Sequence, residues 1–246
     1  MSVMENIVYG GKNFYGFDIG IIMLETIFPR IIGDVGNAKT FNFPVLYEVV
    51  EKFPSSKVVL NLTFEDIEPF IKAAKNLEKK GVSAITTSCG FLVLFQKILA
   101  QEINIPIFTS TLLLIPFIKN ILRDDKKILI LTANSETLTA QHFNAAGLNK
   151  FDSALEIVGT QNTKTFTNFT VENWQCVNID ELRKDLFSAL EKNPSLQKGE
   201  VGAILMECTN MPPFSEEIRR RWKIPIFDFV SLTNFVYSTI FWRDKI

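Results

Sequence analysis

The sequence predicts an α/β protein of two similar lobes, each a parallel sheet flanked by helices. The lobes are related by pseudo-twofold symmetry, and if they face each other the two strand ends can flank one ligand in the cleft between them. Three observations predict this. Short apolar runs alternate with helix-length amphipathic segments along the chain, a pattern that calls for parallel sheets covered by helices on both faces. One stretch occurs twice: Ala84 to Phe108 (AITTSCGFLVLFQKILAQEINIPIF) aligns without a gap on Ala203 to Phe227 (AILMECTNMPPFSEEIRRRWKIPIF), with eight identities in 25 positions. Cys208 stands 119 positions after Cys89, and Pro225 stands 119 after Pro106. In each copy a cysteine closes an apolar run just before a helical segment, and open α/β sheets bind their ligands at the carboxyl ends of strands.

Composition agrees with a folded enzyme-sized chain. With 246 residues, 47% hydrophobic and 22% charged, it can bury a substantial core. Its 22 phenylalanines are scattered among strands and helices and read as core. The net charge is −1 without a long block of one sign, so neither nucleic acid nor a membrane surface is an expected partner. The N-terminal MSVMENIVYGGKNF lacks the apolar run of a signal peptide, and Ile226 to Trp242 is interrupted by Asp228 and Asn234. A cytoplasmic location is therefore expected.

Taken in order, Phe17 to Leu24 reads as the first strand, followed by a long turn-rich loop carrying Pro29, Arg30, Gly33, Gly36 and Asn37. Val45 to Lys52 reads as a short helix and Lys57 to Leu62 as a strand. Glu65 to Lys80 is an amphipathic helix stopped by Gly81. After the first cysteine unit, Leu112 to Leu122 is an apolar helix crossing to the second half. The charged turn at Asp124 to Lys127 is close to a lobe boundary, which gives an N-terminal lobe of 1–118 and a C-terminal lobe of 119–229. Ile128 to Leu131 is a strand, Ser135 caps a helix running to Ala146, and Leu155 to Val158 is a weak strand. Gly159 to Gln175 is polar and reads as a loop or lid. Asp180 to Lys192 is a helix, Val201 to Met206 a strand, and a helix follows Pro212-Pro213. The C-terminal helix, 230–246, packs back on the first lobe or offers a homodimer contact.

The chemistry rests on the cysteines. There are three, Cys89, Cys176 and Cys208, too sparse for a disulfide framework. With one histidine and no C-x-x-C, neither a metal site nor a metal cofactor is expected. A cysteine at the start of a helix meets the positive end of its dipole, which favours thiolate. Two such thiols facing one ligand can take a proton from one side of a carbon and return one from the other. Donors for the developing enediolate are available at strand ends: Thr87, Ser88 and Gly90 beside Cys89, Thr209 and Asn210 beside Cys208, and Thr132 and Asn134 after another strand. Arg30, Gly36 and Asn37 in the first loop complete the candidate contacts for a small carboxylate-bearing substrate. Cys176 reads as a non-functional thiol, His142 as a helix residue, and Arg219-Arg220-Arg221 as a solvated helix end. Glu207 reads as either an orienting or a structural residue.

At these residues the sequence resembles the aspartate/glutamate/hydantoin racemase superfamily. Thr86-Thr87-Ser88-Cys89-Gly90 is similar to its first cysteine motif and Glu207-Cys208-Thr209-Asn210 to its second. Ile130 to Ser135 and Gly33 to Ala38 resemble its two polar loops. The resemblance implies a cofactor-independent amino-acid racemase or epimerase with Cys89 and Cys208 as the acid/base pair. Its substrate would be aspartate/glutamate-like or hydantoin-like. Gly90-Phe91 after the first cysteine and Asn210 after the second depart from the common motifs. Two alternatives stand beside it: a maleate-isomerase-like cis–trans isomerase with one cysteine as nucleophile, and a non-catalytic small-molecule-binding protein.

Overall fold

The computed structural model describes residues 10–11, 13–148 and 152–240. Its first sheet contains β1 (Ile19–Leu24), β2 (Val45–Val50), β3 (Ala84–Thr87) and β4 (Ile107–Phe108). Its second contains β5 (Lys127–Thr132), β6 (Leu155–Gly159), β7 (Val201–Met206) and β8 (Ile226–Phe227). Both are parallel, and their orders correspond: β2-β1-β3-β4 and β6-β5-β7-β8. The repeated stretch thus forms the same half-sheet twice, with the short IPIF segments as matching edge strands. The expected α/β fold of two parallel sheets flanked by helices is the fold observed.

Strands β1 and β3 are buried end to end and β7 at every position but Gly202, as sheets covered on both faces require. Helix Glu68–Lys80 places Phe70, Ile71, Ala74 and Leu77 on the first sheet and ends at Gly81, which adopts φ 91° and donates its N–H to the carbonyls of Leu77 and Glu78. Helix Ile115–Ile121 carries Ile115 and Ile118 into an apolar cluster that contains Ile85 of the first sheet and Ile128 and Ile130 of the second. The two sheets therefore share core. Helix Phe229–Ile240 returns to the first sheet, where Phe229 and Leu232 pack with Ile19, Ile21 and Ala84. Residues 241–246 of the expected C-terminal helix lie outside the described residues. Among the described residues, no helix is long and apolar enough to cross a membrane.

Four local expectations are corrected. Val45 to Lys52 is not a helix: Val45–Val50 is an edge strand in register with β1. A run of six is ambiguous by periodicity, and its three β-branched valines suit the pleat. Lys57 to Leu62 is not a strand but lies largely within helix Ser55–Asn61, which starts behind Pro54 and buries Val58 and Val59. Ser135 does not cap the next helix. Asn134 Oδ1 caps a turn instead, accepting from the N–H of Glu136 (2.9 Å) and Thr137 (3.3 Å). The helix itself, Ala140–Ala145, begins at a Thr139/His142 capping box. Finally, Gly159 to Gln175 is no plain loop, because Phe166 and Phe169 fix one face of helix Lys164–Thr170 in the core.

Candidate active site

Cys89 follows β3 and Cys208 follows β7, so the two sheets deliver equivalent positions. Both thiols are buried, at 9% and 7% exposure, and both line one cavity between the sheets. That cavity encloses about 20 Å³, room for roughly one water-sized group. Neither cysteine stands directly at the start of an α-helix. Each motif opens with a 3₁₀ turn (Gly90–Phe95 and Pro212–Phe214) before its α-helix begins. Burial pushes Cys89 up, the Glu207 carboxylate adds to it, and the Phe91 N–H and Arg30 oppose. Cys208 is likewise raised by burial first and Glu207 second, with its Asn210 N–H opposing and Cys89 and Asp34 adding.

The first long loop supplies the cationic wall. Arg30 lies over the Phe28 ring, 4.5 Å from its centroid. Its Nη1 donates to Asp34 Oδ1 and its Nη2 to Thr26 Oγ1, both at 2.8 Å. The guanidinium fork therefore keeps further N–H donors. Asp34 is buried and also accepts from the Gly36 N–H at 2.7 Å and from Asn210 Nδ2 at 2.5 Å. Through Asp34 the loop of the first lobe is tied to the second cysteine motif.

Of the residues expected at the site, Arg30, Ser88, Cys89, Cys208, Thr209 and Asn210 line the cavity. Thr209 Oγ1 donates to the Ser88 carbonyl at 2.6 Å, and Ser88 Oγ accepts from the Leu24 N–H at 2.9 Å, so the motifs clasp each other. Thr87, Gly90, Thr132, Asn134, Gly36 and Asn37 are not among the cavity-lining residues. Thr87 Oγ1 donates to the carbonyls of Cys89 and Thr109, which holds the β3 terminus. Asn37 donates to the Arg30 carbonyl at 2.8 Å and caps the turn at Ala38–Thr40. Gly36 acts by absence, since a Cβ there would meet Arg30 Cδ and Nε at 2.8 Å.

Gly90 is pressed against Glu207: a Cβ on it would lie 2.3 Å from Glu207 Oε1 and 2.4 Å from the Glu207 carbonyl oxygen. Glu207 Oε2 accepts from the Thr132 hydroxyl at 2.7 Å, and Oε1 has no hydrogen-bond partner among the described residues. Burial pushes this carboxyl up to about 8, so it is mostly protonated at neutral pH. Sequence reasoning left Glu207 undecided and missed Asp34, Thr26, Phe28, Ser55 and Thr170. No spacing rule marks an acid in a loop as buried, and Ser55 sits at the head of a helix the sequence read in part as a strand.

The segment after β6 roofs the cavity. Asn173, at φ 59°, accepts from the N–H groups of Ile27 (2.8 Å) and Phe28 (3.3 Å). Phe169 packs on Phe28 with centroids 4.7 Å apart, and Ser55 Oγ donates to the Thr170 carbonyl. Ser55, Phe28 and Thr170 all line the cavity.

This arrangement of two sheets is a fold shared with solved racemases and a decarboxylase. A glycine-to-cysteine mutant of arylmalonate decarboxylase, solved with sulfate ion associated, superposes with TM-score 0.59 at 14% identity, covering 90% of this chain and 92% of that one. Glutamate racemase from Francisella tularensis in complex with D-glutamate superposes with TM-score 0.56 at 18% identity, covering 91% and 81%. In sequence the chain is similar to other proteins. Dimethylsulfoniopropionate lyase 3 of Emiliania huxleyi is 28% identical over 229 residues, 90% of this chain, and the chain spans 59% of that relative's length. A dimethylsulfoniopropionate lyase of Durusdinium sp. clade D is 29% identical over 227 residues, covering 88% of this chain and 73% of the relative. No protein-family profile matches the chain.

Proposed function

We propose that the protein is an enzyme that removes a proton from the carbon next to a carboxylate, and that its reaction is the β-elimination of a sulfonium carboxylate of the dimethylsulfoniopropionate type. The observation that carries the first part is the pair of buried thiols lining one cavity at equivalent strand ends. The similarity to lyases over 90% of the chain supports the second. In this reaction a thiolate takes a proton from the carbon next to the carboxylate. The freed electron pair forms the carbon–carbon double bond, and dimethyl sulfide leaves the next carbon with the electrons of its C–S bond. The products are acrylate and dimethyl sulfide, and the proton resides on the cysteine. The spare Arg30 donors suit the substrate carboxylate, and the Phe28 and Phe91 rings suit the sulfonium cation. The substrate is larger than the cavity, so binding requires the roof to lift.

A second reading keeps the same proton abstraction and returns the proton to the opposite face, as an amino-acid racemase would. The presence of two thiols rather than one favours it. Proton NMR in deuterated water separates the two, with dimethylsulfoniopropionate, aspartate and glutamate offered separately. Vinyl resonances of acrylate appearing with dimethyl sulfide support the lyase. Inversion and loss of the α-proton signal in an amino acid, without acrylate from the sulfonium compound, would replace it with the racemase.

A further inference from the structure

The two thiols are equivalent by repeat but not by surroundings, and the difference originates at Asp34. Its carboxylate is buried, accepts from Arg30 Nη1 and the Gly36 N–H through Oδ1, and meets Asn210 through Oδ2. A carboxylate is an acceptor only, so the Asn210 side chain must turn its amide nitrogen toward Asp34. The amide oxygen then faces the other way, and it lies 3.6 Å from Cys208 Sγ. A carbonyl oxygen accepts a hydrogen bond from a thiol but repels a thiolate. At Cys89 the residue at the position of Asn210 is Phe91, whose side chain has no amide to offer.

We propose that Asp34 is a positioning residue that gives the two thiols unlike protonation states: through Asn210 it holds Cys208 as the protonated partner and leaves Cys89 as the base. The remaining charges agree. The Arg30 guanidinium favours ionised Cys89, whereas Asp34 and an ionised Cys89 both oppose ionisation of Cys208. The backbone N–H two residues on favours the thiolate at both cysteines, so it does not distinguish them. Glu207, when ionised, opposes both and so does not distinguish them either. The inference deepens the proposed reaction and rests on it for its meaning: Cys89 takes the proton from carbon, and Cys208 donates a hydrogen bond or a proton.

The test needs no substrate. The intact protein is labelled to a small extent with iodoacetamide, and Cys89 and Cys208 peptides are quantified in the same sample, with exposed Cys176 as reference. Both buried thiols line one cavity, so lifting of the roof affects both and their ratio reports thiolate share. Wild type is expected to label at Cys89 in preference to Cys208. In Asp34→Asn the Asn210 amide is free to rotate and offer its nitrogen to Cys208, and the ratio is expected to fall at least about tenfold, the equivalent of about one pKa unit. Asn210→Ala, which leaves the Asp34 contacts with Arg30 and Gly36 in place, is expected to shift the ratio the same way and covers the case in which Asp34→Asn does not fold. Preferential labelling of Cys208 in wild type, or a ratio unmoved in the folded variants, would overturn the proposal. Failure to release dimethyl sulfide would instead bear on the reaction and leave this ratio unchanged.

Discussion

At the scale of residues, the site depends on close approaches as much as on its thiols. Gly90 is the sharpest case, because Glu207 occupies the space a side chain would need. Gly90→Ala is expected to cost about 1–3 kcal/mol, as overpacking in a rigid interior does. Urea denaturation monitored by circular dichroism checks this, and an unchanged midpoint would show that Glu207 can retreat at no cost. The cysteines were legible in the sequence because their spacing repeats with that of Pro106 and Pro225. Asp34 and Glu207 were not, because burial of an acid is decided by what the other lobe brings against it. Thr87, Thr132 and Asn37 illustrate the reverse: polar residues at strand ends and turns, which sequence alone places near a ligand, spend their hydrogen bonds on backbone and on Glu207.

At the scale of elements, the repeated unit was legible as strand, cysteine, helix and short strand, and the structure contains it twice. Two of the misread elements, Val45–Val50 and Ser55–Asn61, are short apolar runs whose state is set by partners: β1 for the first, the inter-sheet cluster for the second. The helix Lys164–Thr170 and its following turn carry the roof, and Asn173 is its clasp. Asn173→Ala removes both hydrogen bonds and places alanine in the left-handed region, which asparagine tolerates better. The expected result is a loss of about 1 kcal/mol and faster alkylation of Cys89 and Cys208 together. Unchanged alkylation with lowered stability would mean that the roof opens elsewhere.

For the whole molecule, two buried titratable side chains predict how stability changes with pH. Glu207 has its carboxyl raised from 4.5 to about 8 by burial. The folded protein therefore binds more protons than the unfolded chain across that interval, and this contribution is full below pH 4.5 and lost as pH rises through about 8. His142 packs edge-on against Phe91 in the opposite lobe and is lowered from 6.5 to about 4 by burial. Its contribution is full above pH 6.5 and lost as pH falls through about 4. The two slopes oppose each other at acid pH, so the Glu207 term stands clear of His142 between pH 6.5 and 8. Wild type should lose stability across that window, and Glu207→Gln should flatten the loss. Denaturant midpoints at the two ends measure it, and a wild-type midpoint that rises would contradict a buried, protonated Glu207.

The central claim is that both thiols serve one reaction in one cavity. The most direct measurement is dimethyl sulfide release from dimethylsulfoniopropionate, by headspace gas chromatography, for wild type, Cys89→Ala and Cys208→Ala at equal folded concentration. Wild type is expected to be active and each variant to fall by on the order of 10²–10⁴-fold, the usual contribution of a positioned acid or base. A variant of either cysteine that keeps the wild-type rate would contradict it.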